Sequence, residues 1–249
     1  MGGWNIEYKK IGVFVGIVSD NLRNIREQIK LACEKSGRNA QSVRLVAVSK
    51  TKPASAVLSA LAEGQDLFGE NRVQEARDKI PLVADGSDTQ GRDVQWHLIG
   101  PLQRNKVKIA VKLFSMVHSV DSVSLAQELS KRASTIRPLP ILIQVNVGGE
   151  KQKNGLPPGD VIEAVHQMAN FDGIKIKGLM TVPPVTQDPQ GARPFFKELA
   201  TLAATIKGLQ ISGVEMTELS MGMSHDYIVA VEEGATLVRV GSALFGSRL

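Results

Sequence analysis

A strict alternation of short apolar runs with longer amphipathic ones constrains this chain more than any other feature. Short β-branched or apolar runs bounded by turn residues read as buried strands. They fall at 43–49, 66–69, 94–99, 114–118, 139–147, 174–179, 213–219 and 236–240. Between them, helical spacing of apolar residues covers 53–63, 71–80, 103–112, 122–135, 158–170, 189–207 and 224–233. A further helix is expected at 19–36, where Leu22, Ile25, Ile29 and Ala32 form one stripe and Asp20 can cap. Strand–helix alternation implies parallel strands joined by crossovers. Eight such units in roughly 200 residues predict a single closed α/β barrel, a (β/α)8 TIM barrel. A doubly wound open sheet is the competing arrangement, but no Gly-x-Gly-x-x-Gly follows the first strand. No linker rich in Pro, Gly or Ser divides the chain. The expected organisation is an N-terminal extension, 1–18, poorly ordered, and one barrel domain over 19–249.

Composition narrows the function classes. Of the 249 residues, 43% are hydrophobic and 22% charged, enough for a sizeable core. The net charge of +5 is dispersed; its densest clusters are Lys9-Lys10 and Lys106-Val107-Lys108. With aromatics at only 4%, no nucleic-acid surface is expected. The lone Cys33 allows neither an intrachain disulfide nor a zinc cluster, and no metal site is expected. The apolar run Ile11 to Val18 is too short to span a bilayer and lacks a signal-cleavage pattern. These features predict a soluble, cytoplasmic protein without a membrane partner, able to stand as a monomer.

Barrels place ligands at the C-terminal ends of their strands. Lys50 closes Leu45-Val46-Ala47-Val48-Ser49-Lys50 and precedes Thr51-Lys52-Pro53, where Pro53 suits a first helical turn. A lysine at the rim of an apolar pocket can lose its proton and form an imine with an aldehyde. It can also simply snorkel from a strand end. Asn71 follows the second strand, His97 lies on the third, Asn146 ends the fifth, and Met180-Thr181 ends the sixth. Ser220-Met221-Gly222-Met223-Ser224 reads as a small-residue loop entering a helix, and Gly241-Ser242 follows the eighth strand. Loops after strands 7 and 8 often bind phosphate through exposed backbone N–H groups. Each loop alone also reads as an ordinary helix cap. Arg239 sits on an otherwise apolar strand, where a charge needs a ligand or an acid such as Glu218. His97 suits either a ligand contact or a satisfied core position, and Asn71 and Asn146 suit either ligand contact or loop shaping. His118 and His166 read as surface or packing residues, His225 and Tyr227 as capping and packing residues.

An imine-forming lysine, a phosphate cradle and a barrel mouth together suggest pyridoxal 5'-phosphate. Its aldehyde would meet Lys50, and its phosphate Ser220, Gly222, Gly241 and Ser242. A cofactor-free aldolase, with Lys50 attacking a sugar-phosphate carbonyl, is the competing chemistry.

Several segments then carry a specific resemblance. They are Leu45-Val46-Ala47-Val48-Ser49-Lys50-Thr51-Lys52-Pro53, Phe68-Gly69-Glu70-Asn71, and Trp96-His97-Leu98-Ile99-Gly100-Pro101-Leu102-Gln103-Arg104-Asn105-Lys106. Further on come Gly178-Leu179-Met180-Thr181, Leu219-Ser220-Met221-Gly222-Met223-Ser224 and Val238-Arg239-Val240-Gly241-Ser242-Ala243-Leu244-Phe245-Gly246. From about residue 20 onward the chain resembles the pyridoxal phosphate homeostasis protein family (YggS or PROSC proteins). The resemblance implies a barrel like the N-terminal domain of alanine racemase, with a reversible Schiff base on Lys50. It implies a cofactor-binding set of Lys50, Asn71, His97, Met180, Ser220, Met221, Gly222, Arg239, Gly241 and Ser242. Arg239 would face the pyridine nitrogen and, staying protonated, leave that nitrogen bare, so the ring is a weak electron sink. The implied role is to bind, buffer and deliver the cofactor to dependent apoenzymes, affecting amino-acid and keto-acid balance, without an established reaction. An amino-acid racemase is the alternative; it needs a second base, and Tyr8 and Tyr227 are the only tyrosines. Lys52, Lys106 and Lys153 are candidates for a second, transient cofactor contact.

Overall fold

A computed structural model describes residues 4–87, 93–133, 137–150 and 152–246, with side chains from residue 16 onward. Its strands are β1 (Arg44–Val48), β2 (Leu67–Glu70), β3 (Gln95–Leu98), β4 (Met116–Val120), β5 (Leu139–Gln144), β6 (Ile174–Met180), β7 (Val214–Met223) and β8 (Leu237–Val240). Its helices are α1 (Trp4–Lys35), α2 (Ala54–Ala62), α3 (Val73–Gly86), α4 (Val107–Leu113), α5 (Val123–Arg132), α6 (Val161–Met168), α7 (Arg193–Gly208), α8 (Tyr227–Glu232) and α9 (Ser242–Phe245). The sheet is a closed parallel barrel in sequence order. Closure decides against the open sheet: β1 pairs with β8 from Arg44↔Leu237 to Ala47↔Val240.

Alternation along each strand sorts side chains into two cores. Val46, Leu67, Met116, Leu142, Met180 and Leu237 cluster inside the barrel. Leu45, Ala47, Phe68, Trp96, Leu98, Val117, Ile141 and Ile143 belong to the larger core between strands and helices. Phe68 and Trp96 stack there with ring centroids 5.3 Å apart. Truncating a fully buried member such as Ile141 to Ala would cost about 2–5 kcal/mol, because the neighbours only partly collapse into the hole.

The helix ring is completed in an unexpected way. After β8 the crossover position is filled only by the four-residue α9. α1 packs against α8, α9 and α2 and so occupies the remaining gap. Its buried stripe Val18, Leu22, Ile25, Ile29, Ala32 and Cys33 supplies the apolar face. Asn21 donates to the Leu244 carbonyl at 2.9 Å, tying α1 to α9. α1 begins at Trp4, well ahead of the expected start at 19. Residues 1–3 of the expected extension lie outside the described residues.

Strand boundaries also moved, and β5 stops at Gln144 rather than at 147. β4 starts at Met116 because Phe114 belongs to the end of α4: its N–H donates to the Ala110 carbonyl at 3.0 Å. β7 runs on to Met223, so the expected loop at Ser220–Met223 is the irregular end of a strand. Its pairing with β8 slips between Ser220↔Leu237 and Met223↔Arg239. Among the described residues no helix is long and apolar enough to cross a membrane, and no cluster of His, Cys, Asp or Glu could hold a metal.

Candidate functional site

The C-terminal strand ends open into a cavity of about 670 Å³. Lys50 enters it after β1, Asn71 after β2, Met180 from β6, and Arg239, Gly241 and Ser242 from β8 and its end. These six of the ten predicted residues share one space. His97, Ser220, Met221 and Gly222 do not line it, for different reasons. Met221 is fully buried in the outer core. Gly222 has φ 88°, and a Cβ there would lie 2.5 Å from Ala230 Cβ and 2.9 Å from Tyr227 Cα. Its missing side chain lets α8 close against β7. His97 and Ser220 are buried and belong to the hydrogen-bonded chain described below.

Among the lining residues outside the predicted set are Ser224 and His225. The Ser224 hydroxyl accepts the Gly241 N–H at 3.2 Å and the Ala243 N–H at 3.3 Å, joining the end of β7 to the start of α9. His225 lines the mouth, against its expected capping role. Asp226 holds the N-cap position of α8, but its Oδ1 turns back to accept the Met223 N–H at 2.6 Å and caps no helical N–H. Asn146 proves a loop-shaping amide, donating to the Glu150 carbonyl at 3.0 Å.

Lys50 is the second residue of a tight turn closed by Lys52 N–H donating to the Ser49 carbonyl at 3.0 Å. The third residue, Thr51, has φ 63°. That left-handed position normally takes Gly, and a β-branched residue there costs about 1–3 kcal/mol.

Arg239 is 4% exposed. Its guanidinium donates to Ser220 Oγ at 2.6 Å and to the Thr181 carbonyl at 2.7 Å. The expected carboxylate partner, Glu218, is engaged elsewhere, with Arg44 at 3.5 Å and the Thr236 hydroxyl at 2.5 Å. Among the described residues no carboxylate forms an ion pair with Arg239. Burial lowers its pKa to about 10, partly offset by the charge of Asp226, so it stays protonated at neutral pH.

Behind Arg239 runs a buried chain of polar groups. Ser220 Oγ lies 2.9 Å from His118 Nδ1, and His118 Nε2 lies 2.9 Å from His97 Nδ1. With the Arg239 N–H filling one lone pair, the Ser220 hydroxyl uses its proton by donating to His118 Nδ1. Neutral His118 then carries its proton on Nε2 and gives it to His97 Nδ1; this tautomer assignment follows from the network. Both rings are held neutral. Burial, with the Arg44 charge, lowers the His97 pKa to about 3. Burial foremost, with the fields of His97, Arg239 and Arg44, drives His118 well below the usual histidine range. The expected surface or packing role of His118 is thus corrected: its side chain points into the barrel because it shares parity with Met116. That parity was readable in the sequence.

A parallel barrel with a lysine and an unneutralised arginine at one mouth defines a class of protein. The family model described as "Alanine racemase, N-terminal domain" matches residues 21–249. Alanine racemase from Corynebacterium glutamicum shares the fold at TM-score 0.67 and 14% identity, covering 94% of this chain and 61% of its own. Nearer relatives narrow the class. The pyridoxal phosphate homeostasis protein of Vibrio alginolyticus is 40% identical over 232 residues, covering 93% of this chain and 97% of its own. PipY of Synechococcus elongatus, solved with PLP bound, is 36% identical at TM-score 0.78 and covers 92% of this chain and 100% of its own. The chain belongs to the pyridoxal phosphate homeostasis protein family.

Proposed function

We propose that the mouth binds pyridoxal 5'-phosphate, held reversibly as a Schiff base on Lys50, and that the protein serves intracellular cofactor homeostasis and delivery. The observation that carries this reading is one cavity lined by both Lys50 and a buried arginine without a carboxylate. These residues fit the group: a pyridine nitrogen is a neutral acceptor, which a guanidinium can meet without losing its charge. That PipY, a relative, was solved with PLP bound supports cofactor binding by this chain. When bound, the cofactor would supply an aldehyde for amine capture and an electron-poor ring.

The chain's own residues then divide the work. Lys50 presents its amine at the end of β1. Arg239 holds a proton toward the ring nitrogen and stays charged. Ser224, Gly241 and Ser242, with the irregular end of β7, offer hydroxyl and backbone donors for a phosphate. Asn71 and Met180, which line the same cavity, would help to hold the cofactor. His97 and Ser220 act from beneath by fixing Arg239, and Met221 and Gly222 shape the strand that carries Ser224. Delivery to dependent apoenzymes, with effects on amino-acid and keto-acid balance, is the part of this reading that the family resemblance supplies.

The test is the absorption spectrum of the purified protein with added pyridoxal phosphate, before and after borohydride, beside Lys50→Ala. A near-visible band that borohydride fixes on Lys50 is expected, and loss of both in the variant. A band of equal strength in Lys50→Ala would refute the assignment.

A further inference from the structure

The turn that carries Lys50 is held from behind by groups with no place at the mouth. Ser49, before Lys50, donates its N–H to the Gly69 carbonyl at 3.1 Å and its hydroxyl to Glu70 Oε1 at 2.7 Å. The Ser49 carbonyl accepts from Lys79 Nζ at 2.7 Å. Thr51, after Lys50, donates its N–H to Glu75 Oε1 at 2.5 Å. Lys79 Nζ joins the two sides, reaching Glu70 Oε1 at 2.7 Å and Glu75 Oε1 at 2.8 Å. The Glu70 side chain is fully buried and that of Lys79 is 7% exposed. The cluster lies outside the barrel wall, on the side of α3, while Lys50 faces the cavity.

This arrangement bears on the strained residue. Thr51 at φ 63° occupies a position that favours Gly, and it persists only if its surroundings hold it there. The charged acceptor on its N–H is a strong hold of that kind. With both neighbours pinned, the Cα–Cβ direction of Lys50 is fixed before any ligand arrives, which lowers the ordering cost of capture.

We propose that Glu75 and Lys79 of α3, with Glu70 of β2, are positioning residues that pre-set Lys50 for reaction with an aldehyde. The inference rests on Lys50 being the cofactor-carrying lysine. It assigns α3, which contributes nothing to the cavity lining, a part in the rate of capture.

The test uses the full chain and the variants Glu75→Ala, Glu75→Gln, Lys79→Arg and Lys50→Ala. Hydrogen exchange at the Thr51 amide is read without ligand, and the growth of the near-visible band after adding pyridoxal phosphate is read across pH. Glu75→Ala is expected to raise Thr51 exchange and slow band growth, each about tenfold, the effect of one charge-assisted hydrogen bond. Glu75→Gln, whose carbonyl still accepts the Thr51 N–H, is expected to restore both to within about threefold of the parent. Lys79→Arg, which keeps a cation between the two glutamates, is expected to retain the band and its pH profile. Parent-like band growth in a folded Glu75→Ala, or no rescue by Glu75→Gln at equal melting temperature, would overturn the positioning role. A borohydride-fixed adduct persisting in Lys50→Ala would instead overturn the reading of Lys50, independently of the α3 variants.

Discussion

Lys79 and Arg239 are buried cations on either side of the same barrel wall, and the protein meets them in opposite ways. Lys79 has its three donors satisfied by two carboxylates and a carbonyl at 2.7–2.8 Å. Arg239 donates to a hydroxyl and a carbonyl, with a neutral His–His relay behind the hydroxyl. A buried cation completed by its own chain belongs to the frame. One left without a counter-charge, at the edge of a cavity, keeps its capacity for a ligand. The contrast explains why one is invisible from the mouth and the other lines it.

The sharpest way to break this comparison is to remove each cation in turn. Lys79→Met leaves Glu70 buried and unpaired and is expected to cost about 3–5 kcal/mol, a drop of roughly 6–20 °C in melting temperature. A loss below about 1 kcal/mol would show that the ion cluster is not part of the frame.

Acid separates the two regions next. His97 and His118 have folded pKa values depressed below the ordinary histidine value, so the unfolded chain binds protons there that the native one refuses. The His97 contribution is present above about pH 6.5 and is lost as pH falls toward about 3, at up to about 1.4 kcal/mol per pH unit; that of His118 is lost in the same direction. Glu70 has the opposite sign: burial raises its pKa against the pull of Lys79, so its contribution is fullest at low pH and fades as pH rises. Between pH 6.5 and 5 the parent is expected to lose about 1.6 kcal/mol through His97 in urea unfolding, with a further loss of the same sign through His118. The double variant His97→Gln/His118→Gln should flatten that slope; an unchanged slope would remove the relay from the account.

Arg239→Met should sharpen the contrast with Lys79→Met. No carboxylate is orphaned, so stability is expected to move by no more than about 1 kcal/mol, while affinity for pyridoxal phosphate falls at least about tenfold. A large loss of stability with unchanged affinity would reverse the roles assigned to the two cations. The smallest effect is expected from Ser220→Ala, which removes one link between Arg239 and His118 at about 1 kcal/mol. Its signature is a shifted pH dependence of the bound chromophore, read by absorbance titration.

Much of the mouth was legible because strand ends are local events. Lys50, Asn71, Met180, Arg239, Gly241 and Ser242 could be placed by finding where each apolar run stops, and the cavity gathers all six. Ser220, Met221 and Gly222 read as loop in the sequence because a Ser–Met–Gly–Met string has weak strand propensity. Pairing with β6 and β8 overrides it and continues the strand to Met223. His118 could have been assigned to the interior from its spacing to Met116. α1 was visible as an amphipathic helix, but its use as the missing member of the ring was not, since α9 is short for reasons no periodicity records.

The sequence by itself determined the kinds and order of the elements, the parallel sheet they imply, and the residues that end most strands; closure was decided by the β1–β8 pairing. The elements and their ends follow from backbone preference and hydrophobic period, which act over a few residues. Only the tertiary structure decided which buried polar groups meet. The Lys79–Ser49 contact spans 30 residues, and His118–Ser220 spans 102. Such contacts depend on the relative placement of whole strands and helices, and a hydrogen bond tolerates only a few tenths of an ångström in that placement.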